Sequence, residues 1–315
     1  MRPLARCVIL CLTVSACERD RAKANAMASA SVRAEDPAPR VLYIPDAVAP
    51  QVASSAAARL LPRGSGRCPP EMVDVQSAFC IDRFEATLYD KKTSNRLSPY
   101  YHPSPEVTRR EYERWQRARN DAKTDEGRRQ PVPVPDEWEL SARHFEPVAK
   151  AEPDATPNGY VSAEAAQRAC ENAGKRLCSD QEWVTACRGQ HNTKFPYGHF
   201  YEEARCNVFR ATHPARVLHG DASAGHLDPR LNQVTEAGDP LLRLTGATPA
   251  CRSEWNGDAV YDMVGNLDEW VDDPEGTFVG GFYSRSTREG CDARVEVHSY
   301  DYYDYSLGVR CCRSQ

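Results

Sequence analysis

The chain has 315 residues, 41% of them hydrophobic, enough to form a core for one domain of roughly 200 to 250 residues beside less regular ends. Its formal net charge is −5 and its pI is near 6.0. Lys and Arg are scattered and not banded, which argues against a nucleic-acid partner, because a phosphate backbone asks for a basic stripe.

Taken from the start, Arg2 and Arg6 flank or precede an apolar run at 7–14 that is too short to cross a bilayer as a helix. The run ends in Val14-Ser15-Ala16-Cys17, which resembles the bacterial lipobox, where a peptidase cuts before a cysteine that carries a diacylglycerol. Residues 1–17 are therefore expected to be a lipoprotein signal peptide with Cys17 as the lipidated terminus, which would attach the protein to a membrane. An ordinary secretory leader cut nearby is the alternative, and both export the chain. Residues 18–67, dense in Ala, Ser, Pro and charge, read as a flexible tether.

Setting aside Cys7, Cys11 and Cys17, ten cysteines remain, at 68, 80, 170, 178, 187, 206, 251, 291, 311 and 312. An even set in an exported domain reads as a disulfide framework, and no Cys/His cluster has zinc spacing. Met72-Val73-Asp74-Val75 and Phe79-Cys80-Ile81-Asp82 read as two short strands, bordered by Cys68 and Cys80, which a local bridge would pin. From 88 to about 157 the sequence turns polar, with one surface helix expected over 105–122. The segment Pro131-Val132-Pro133-Val134-Pro135 cannot continue a helix. Ser162 caps a helix with Ala165, Ala166, Ala169 and Cys170 at helical spacing, ending near Gly174. Ser179-Asp180-Gln181-Glu182 opens a second in capping-box style, with Trp183, Ala186 and Cys187 facing inward. Beyond Gly189 the sequence reads mostly as loop.

Four segments then recur in order: Phe79-Cys80-Ile81-Asp82-Arg83-Phe84-Glu85-Ala86-Thr87; Gly174-Lys175-Arg176-Leu177 running into Glu182-Trp183; Tyr261-Asp262-Met263-Val264-Gly265-Asn266-Leu267-Asp268-Glu269-Trp270; and Gly280-Gly281 with Gly308-Val309-Arg310-Cys311. Together they resemble the formylglycine-generating enzyme, or sulfatase-modifying-factor, family over about 68–312. The resemblance implies an α+β fold, a disulfide-rich variant of the C-type-lectin-like fold with little regular secondary structure. It would span 68–315 with a variable insertion at about 88–157.

The third segment offers the carboxylates of Asp262 and Glu269 and inward-turned carbonyls near Gly265, hard oxygen donors of the kind calcium takes. The resemblance implies calcium ligands at Asp262, Gly265, Leu267 and Glu269, and a second set beginning at Asn207 and Val208. A tight turn with solvated acids is the plainer alternative. It also implies the pairs Cys187 with Cys291 and Cys170 with Cys311. Because Cys311 and Cys312 point to opposite faces of a strand, they need different partners; Cys178 is the natural candidate for Cys312, which leaves Cys206 with Cys251, though sequence alone does not fix this connectivity.

The family's oxidase chemistry uses two cysteines shortly after the Gly-Gly pair to bind copper(I), a soft metal suited to thiolates. Here the stretch reads Phe282-Tyr283-Ser284-Arg285-Ser286-Thr287-Arg288-Glu289-Gly290-Cys291, with Arg285 at the first position and a single cysteine. Phe282 replaces the usual serine and Asp268 the usual aromatic, which argues against copper and against this activity. The His-x-x-x-His-x-Glu helix of the family's iron branch is absent from the sequence, so no iron is expected. The run 298–305 packs Tyr300, Tyr302, Tyr303 and Tyr305 with two aspartates, either a ligand surface or ordinary packing.

The reading is thus a lipid-anchored cell-envelope protein whose domain is a non-catalytic binding or scaffold module for an unidentified glycan, peptide or protein. The alternative is an oxidoreductase of the same family acting on a cysteine-containing substrate. A third reading makes it a domain serving a larger secretion or signalling assembly.

Overall fold

In the computed structural model, the described residues are 67–285 and 287–315, all within one compact unit, Val52–Gln315. The signal peptide, Cys17 and nearly all of the tether lie outside them. The strands are β1 (Met72–Val75), β2 (Phe79–Asp82), β3 (Ala86–Asp90), β4 (Pro147–Ala151), β5 (Arg176–Leu177), β6 (Thr235–Glu236) and β7 (Asp239–Pro240). They continue with β8 (Arg252–Trp255), β9 (Asp258–Tyr261), β10 (Asp268–Trp270), β11 (Phe278–Val279), β12 (Arg294–Val295), β13 (Leu307–Gly308) and β14 (Cys311–Ser314). The helices are α1 (Pro105–Ala118), α2 (Asp125–Arg129), α3 (Glu137–Ser141), α4 (Ala163–Asn172), α5 (Asp180–Arg188) and α6 (Pro214–His219).

Two four-stranded sheets organise the unit, in the orders β1-β2-β14-β5 and β12-β11-β10-β13. All pairings are antiparallel except β10 with β13, where Asp268 lies opposite Leu307 and Glu269 opposite Gly308. The C-terminal strand β14 closes the first sheet by inserting between β2 and β5, so chain ends far apart in sequence meet in one ladder. The residues from Phe79 to Leu88 are all buried, as expected of a strand enclosed on both faces, yet they include Asp82, Arg83 and Glu85. That contradiction of ordinary partition is the first sign of a site.

The helices form where the local chemistry dictates. Ser162 accepts a hydrogen bond from the Ala165 amide at 3.3 Å, and α4 turns Ala163, Ala166, Ala169 and Cys170 inward. The Ser179/Glu182 capping box starts α5, with the Ser179 amide donating to Glu182 at 2.9 Å. Trp183, Ala186 and Cys187 on its inner face are buried. Truncating a buried Trp such as Trp183 would remove about 3–5 kcal/mol.

The polar stretch 88–157 is more regular than its composition implies. β4 pairs with β3 along its whole length, and α1, α2 and α3 lie between the two strands. α1 ends at Ala118 and tightens into a 3-10 turn over Arg119–Asp121. Its polar face hides one buried acid, Glu111, which holds Arg110, Arg114 and the Trp115 indole.

Five disulfides brace the unit: Cys68–Cys80, Cys170–Cys311, Cys178–Cys312, Cys187–Cys291 and Cys206–Cys251. Such a density belongs to an oxidising compartment, extracellular or periplasmic. Among the described residues no helix is long and apolar enough to cross a membrane.

Candidate functional site

The turn between β9 and β10 is built on left-handed backbone at Asp262, Gly265 and Asn266, with φ of 59°, 84° and 60°. Gly265 is obligatory there: a Cβ would lie 2.3 Å from the Asn207 carbonyl oxygen. That close approach joins the two candidate calcium segments. The Asn266 amide donates to the Asn207 carbonyl at 3.0 Å. The Asn207 side-chain Nδ2 donates to Asn266 Oδ1 at 2.9 Å and to the Leu241 carbonyl at 2.8 Å. Half-buried Val208 packs a methyl group on Gly265. Asn207 Oδ1 is buried without a hydrogen-bond partner.

Beneath the turn lies a charge cluster. Arg310, fully buried on the segment before β14, donates to Glu269 at 2.7–3.0 Å, to the Asp82 carbonyl at 2.9 Å and to the Tyr261 carbonyl at 2.8 Å. Glu269 also accepts from the Trp183 indole at 2.6 Å. Glu85 accepts from Asn266 Nδ2 at 2.6 Å and from the Leu267 amide at 3.1 Å, while Asp262 accepts from the Gly246 amide at 2.7 Å. Burial, reinforced by the charges of Asp262 and Glu269, pushes the Glu85 carboxyl well up, and burial pushes Asp262 up to about 7. The neighbourhood therefore holds more buried carboxylate than Arg310 alone can balance.

The unpartnered Asn207 oxygen and the acids Glu85 and Asp262 suit a hard cation. Glu269 fits less well, since Arg310 and Trp183 already occupy its oxygens. Among the described residues no group of three or more His, Cys, Asp or Glu side chains is arranged to hold a metal ion.

On the other side of β10 the three sequence departures meet. Asp268 is fully buried and accepts from the Gly281 amide and from Arg285 Nη1, both at 2.9 Å. Arg285 lies over the Phe282 ring at 5.3 Å and the Phe278 ring at 5.9 Å. Phe282 in turn meets His213 and Tyr305 edge-on. Burial pushes Asp268 up to about 7, with Arg285 opposing and Asp304 adding to the rise. Asp268 Oδ2 and the buried Thr287 hydroxyl lack partners. Cys291, at the end of the same loop, is bonded to Cys187 of α5. The loop thus presents an arginine clamped between a carboxylate and two aromatic rings.

The tyrosine run is largely consumed by packing. Tyr305 is buried; Tyr300, Tyr302 and Tyr303 are half-buried. Their hydroxyls bond the Asp273 carbonyl, Asp304 and Arg110 respectively. Sequence reasoning assigned no role to Glu85, Arg310 or the Asp268–Arg285 pair, although all four residues stand in the segments it singled out. The readable signal was acid and base inside runs that are otherwise core.

The family profile described as Sulfatase-modifying factor enzyme 1-like domain matches residues 63–314. Formylglycine-generating enzyme of Bos taurus is 31% identical over 115 residues, which is 36% of this chain and 26% of that protein, so the match spans about a quarter of the relative's length. Among solved structures, CarF is 14% identical with a TM-score of 0.33, over 75% of this chain and 86% of that one. PvdO from Pseudomonas aeruginosa is 13% identical with a TM-score of 0.33, over 75% and 94%. With its profile match over most of its length, the chain belongs to the sulfatase-modifying-factor, or formylglycine-generating enzyme, family and shares that group's α+β, C-type-lectin-like fold.

Proposed function

We propose that the protein is a cell-envelope lipoprotein, anchored through Cys17, whose family domain is a binding or scaffold module and not an oxidase. The observation that carries this reading is the Asp268–Arg285 ion pair at 2.9 Å. A guanidinium sits where copper chemistry would need the first thiolate, and the loop's one cysteine is bridged. A soft metal finds no ligand in such a set. Three substitutions that interlock as one packed unit describe a site rebuilt for rigidity, since Arg285 is tied by charge to Asp268 and by its face to Phe282.

Calcium forms part of the same proposal. Asp262 and Glu269, with the carbonyls of Gly265 and Leu267, would hold one ion, Glu269 sharing its oxygens with Arg310, and Asn207 and Val208 would begin a second set. The ion would supply positive charge to an acid-rich interior and fix the β9–β10 turn. The test is to incubate the mature chain with copper(I), oxygen and a cysteine-containing peptide and to look for aldehyde by mass spectrometry. No aldehyde is expected; stoichiometric conversion would establish the oxidase and overturn this reading.

A further inference from the structure

The C-terminal end of α5, the 190–205 segment and β8 line a cleft of about 480 Å³, within the size range of small-ligand sites. Arg188, Arg205 and Arg252 line it, against one lining carboxylate, Glu254. Their acidic partners orient these arginines without saturating them. Arg205 gives Nε to Glu202 at 2.7 Å, and Arg252 gives Nη2 to Glu254 at 3.2 Å and also bonds the Tyr261 hydroxyl. Arg188 gives Nη2 to Asp292 at 2.6 Å and Nη1 to Asn192 at 3.4 Å, and its buried Nε has no partner. Since a guanidinium carries five N–H donors, most of the cleft's guanidinium donors have no partner among the described residues.

A second hollow, of about 590 Å³, shares Arg188, Gly189 and Gln190 with the first and adds Arg294 together with its ion-pair partner Asp180. The two therefore lie on either side of one ridge, a geometry suited to a linear chain whose successive units carry charge. Two features favour a sugar chain over a peptide. The edge of β8 is not open for strand addition: the Gln190 amide already donates to the Glu254 carbonyl at 3.0 Å, and Gln190 Oε1 accepts from the Asn256 amide at 2.9 Å. The rest of the lining offers the exposed His191, the Thr193 oxygen as an acceptor only, since its proton goes to the Phe195 carbonyl at 2.6 Å, and the face of Tyr197 not stacked on Phe195, with Arg205 6.0 Å from the ring.

We propose that this double cleft binds a carboxylated polysaccharide, with Arg188, Arg205 and Arg252 engaging carboxylates and Tyr197 stacking on a sugar ring. The assignment rests on the binding-module reading and names its ligand class. The test is calorimetric titration of the mature full-length chain with a short oligogalacturonate, with the methyl-esterified form of the same oligosaccharide, and with oligoglutamate. Saturable, salt-sensitive binding of the free acid is expected. The ester should bind at least about tenfold more weakly, as should the acid to Arg205→Gln and Arg252→Gln, one charge-assisted contact being lost in each variant. Both arginines are substantially exposed, with side chains 47% and 37% accessible, so these variants should fold. Failure of the acid to bind, equal binding of the ester, undiminished binding by both variants, or equally tight binding of oligoglutamate would overturn the proposal. None of these outcomes involves aldehyde formation, so the cleft can fail while the binding-module reading stands.

Discussion

Replacing Arg310 by Met tests whether the buried charge cluster is a structural keystone. Methionine fills much of the arginine volume, so the cavity contribution is small. The loss is electrostatic: Glu269 keeps only the Trp183 indole, and the Asp82 and Tyr261 carbonyls lose donors at 2.9 and 2.8 Å. Breaking one side of a buried pair costs about 3–5 kcal/mol. Each orphaned carbonyl adds about 1 kcal/mol, giving roughly 4–6 kcal/mol once overlap between the contributions is allowed for. That approaches the whole stability of many domains, which is about 5–15 kcal/mol. Urea unfolding of the oxidised protein, followed by tryptophan emission, measures it directly. The double variant Arg310→Met/Glu269→Leu removes the stranded charge as well and should recover about 2 kcal/mol. A single variant within about 1 kcal/mol of the parent, or a double variant as unstable as the sum of the singles, would refute the reasoning.

Other expectations follow from the same structure. Asp262 and Asp268 are both pushed up to about 7 from 3.8, chiefly by burial. Their folded state holds protons that the unfolded chain releases, so this stability is present below about pH 4 and is lost as pH rises through about 7. Asp90, Glu182 and Asp228 are shifted down and lose their contribution in acid, which puts the thermal-melting optimum on the mildly acidic side of neutrality. Calcium added at pH 8 should raise the melting temperature more than at pH 5; no difference between the two would contradict the cation assignment. Replacing Cys170 and Cys311 by Ser opens a crosslink spanning 141 residues, worth about 5 kcal/mol by loop entropy, against about 3 for the 12-residue span of Cys68–Cys80. Equal losses in denaturant titrations would show that strain or residual structure governs instead. Gly265→Ala, which places a methyl group 2.3 Å from the Asn207 carbonyl at a φ of 84°, should cost at least about 2 kcal/mol by the same assay.

Much of the fold is legible because its signals are local. Ser162 and Ser179 announce helix starts through hydroxyl capping, and the short apolar runs 72–75 and 79–82 on either side of a turn pair as a hairpin. Adjacent Cys311 and Cys312 on β14 face opposite ways, toward α4 and toward the residue after β5, and bridge accordingly. What the sequence does not announce is non-local. The parallel pairing of β10 with β13 joins segments about 40 residues apart, and β4 finds β3 across a polar stretch whose helices conceal single buried acids such as Glu111 and Glu139. For the site, reading residues one at a time identified Asp268, Phe282 and Arg285 as separate departures. Only packing makes them one unit, because the Gly281 amide and Arg285 converge on the Asp268 carboxylate of β10 while Phe282 packs under the same guanidinium.

Whether the loop after Gly281 offers a thiolate pair is decided by free-thiol titration of the mature protein from an oxidising compartment, with copper(I) binding measured on the same sample. No titratable thiol is expected, with Cys291 recovered in a peptide linked to Cys187, and no copper(I) bound above background. A free Cys291 together with a second free cysteine, and one copper(I) bound tightly per chain, would contradict the binding-module reading.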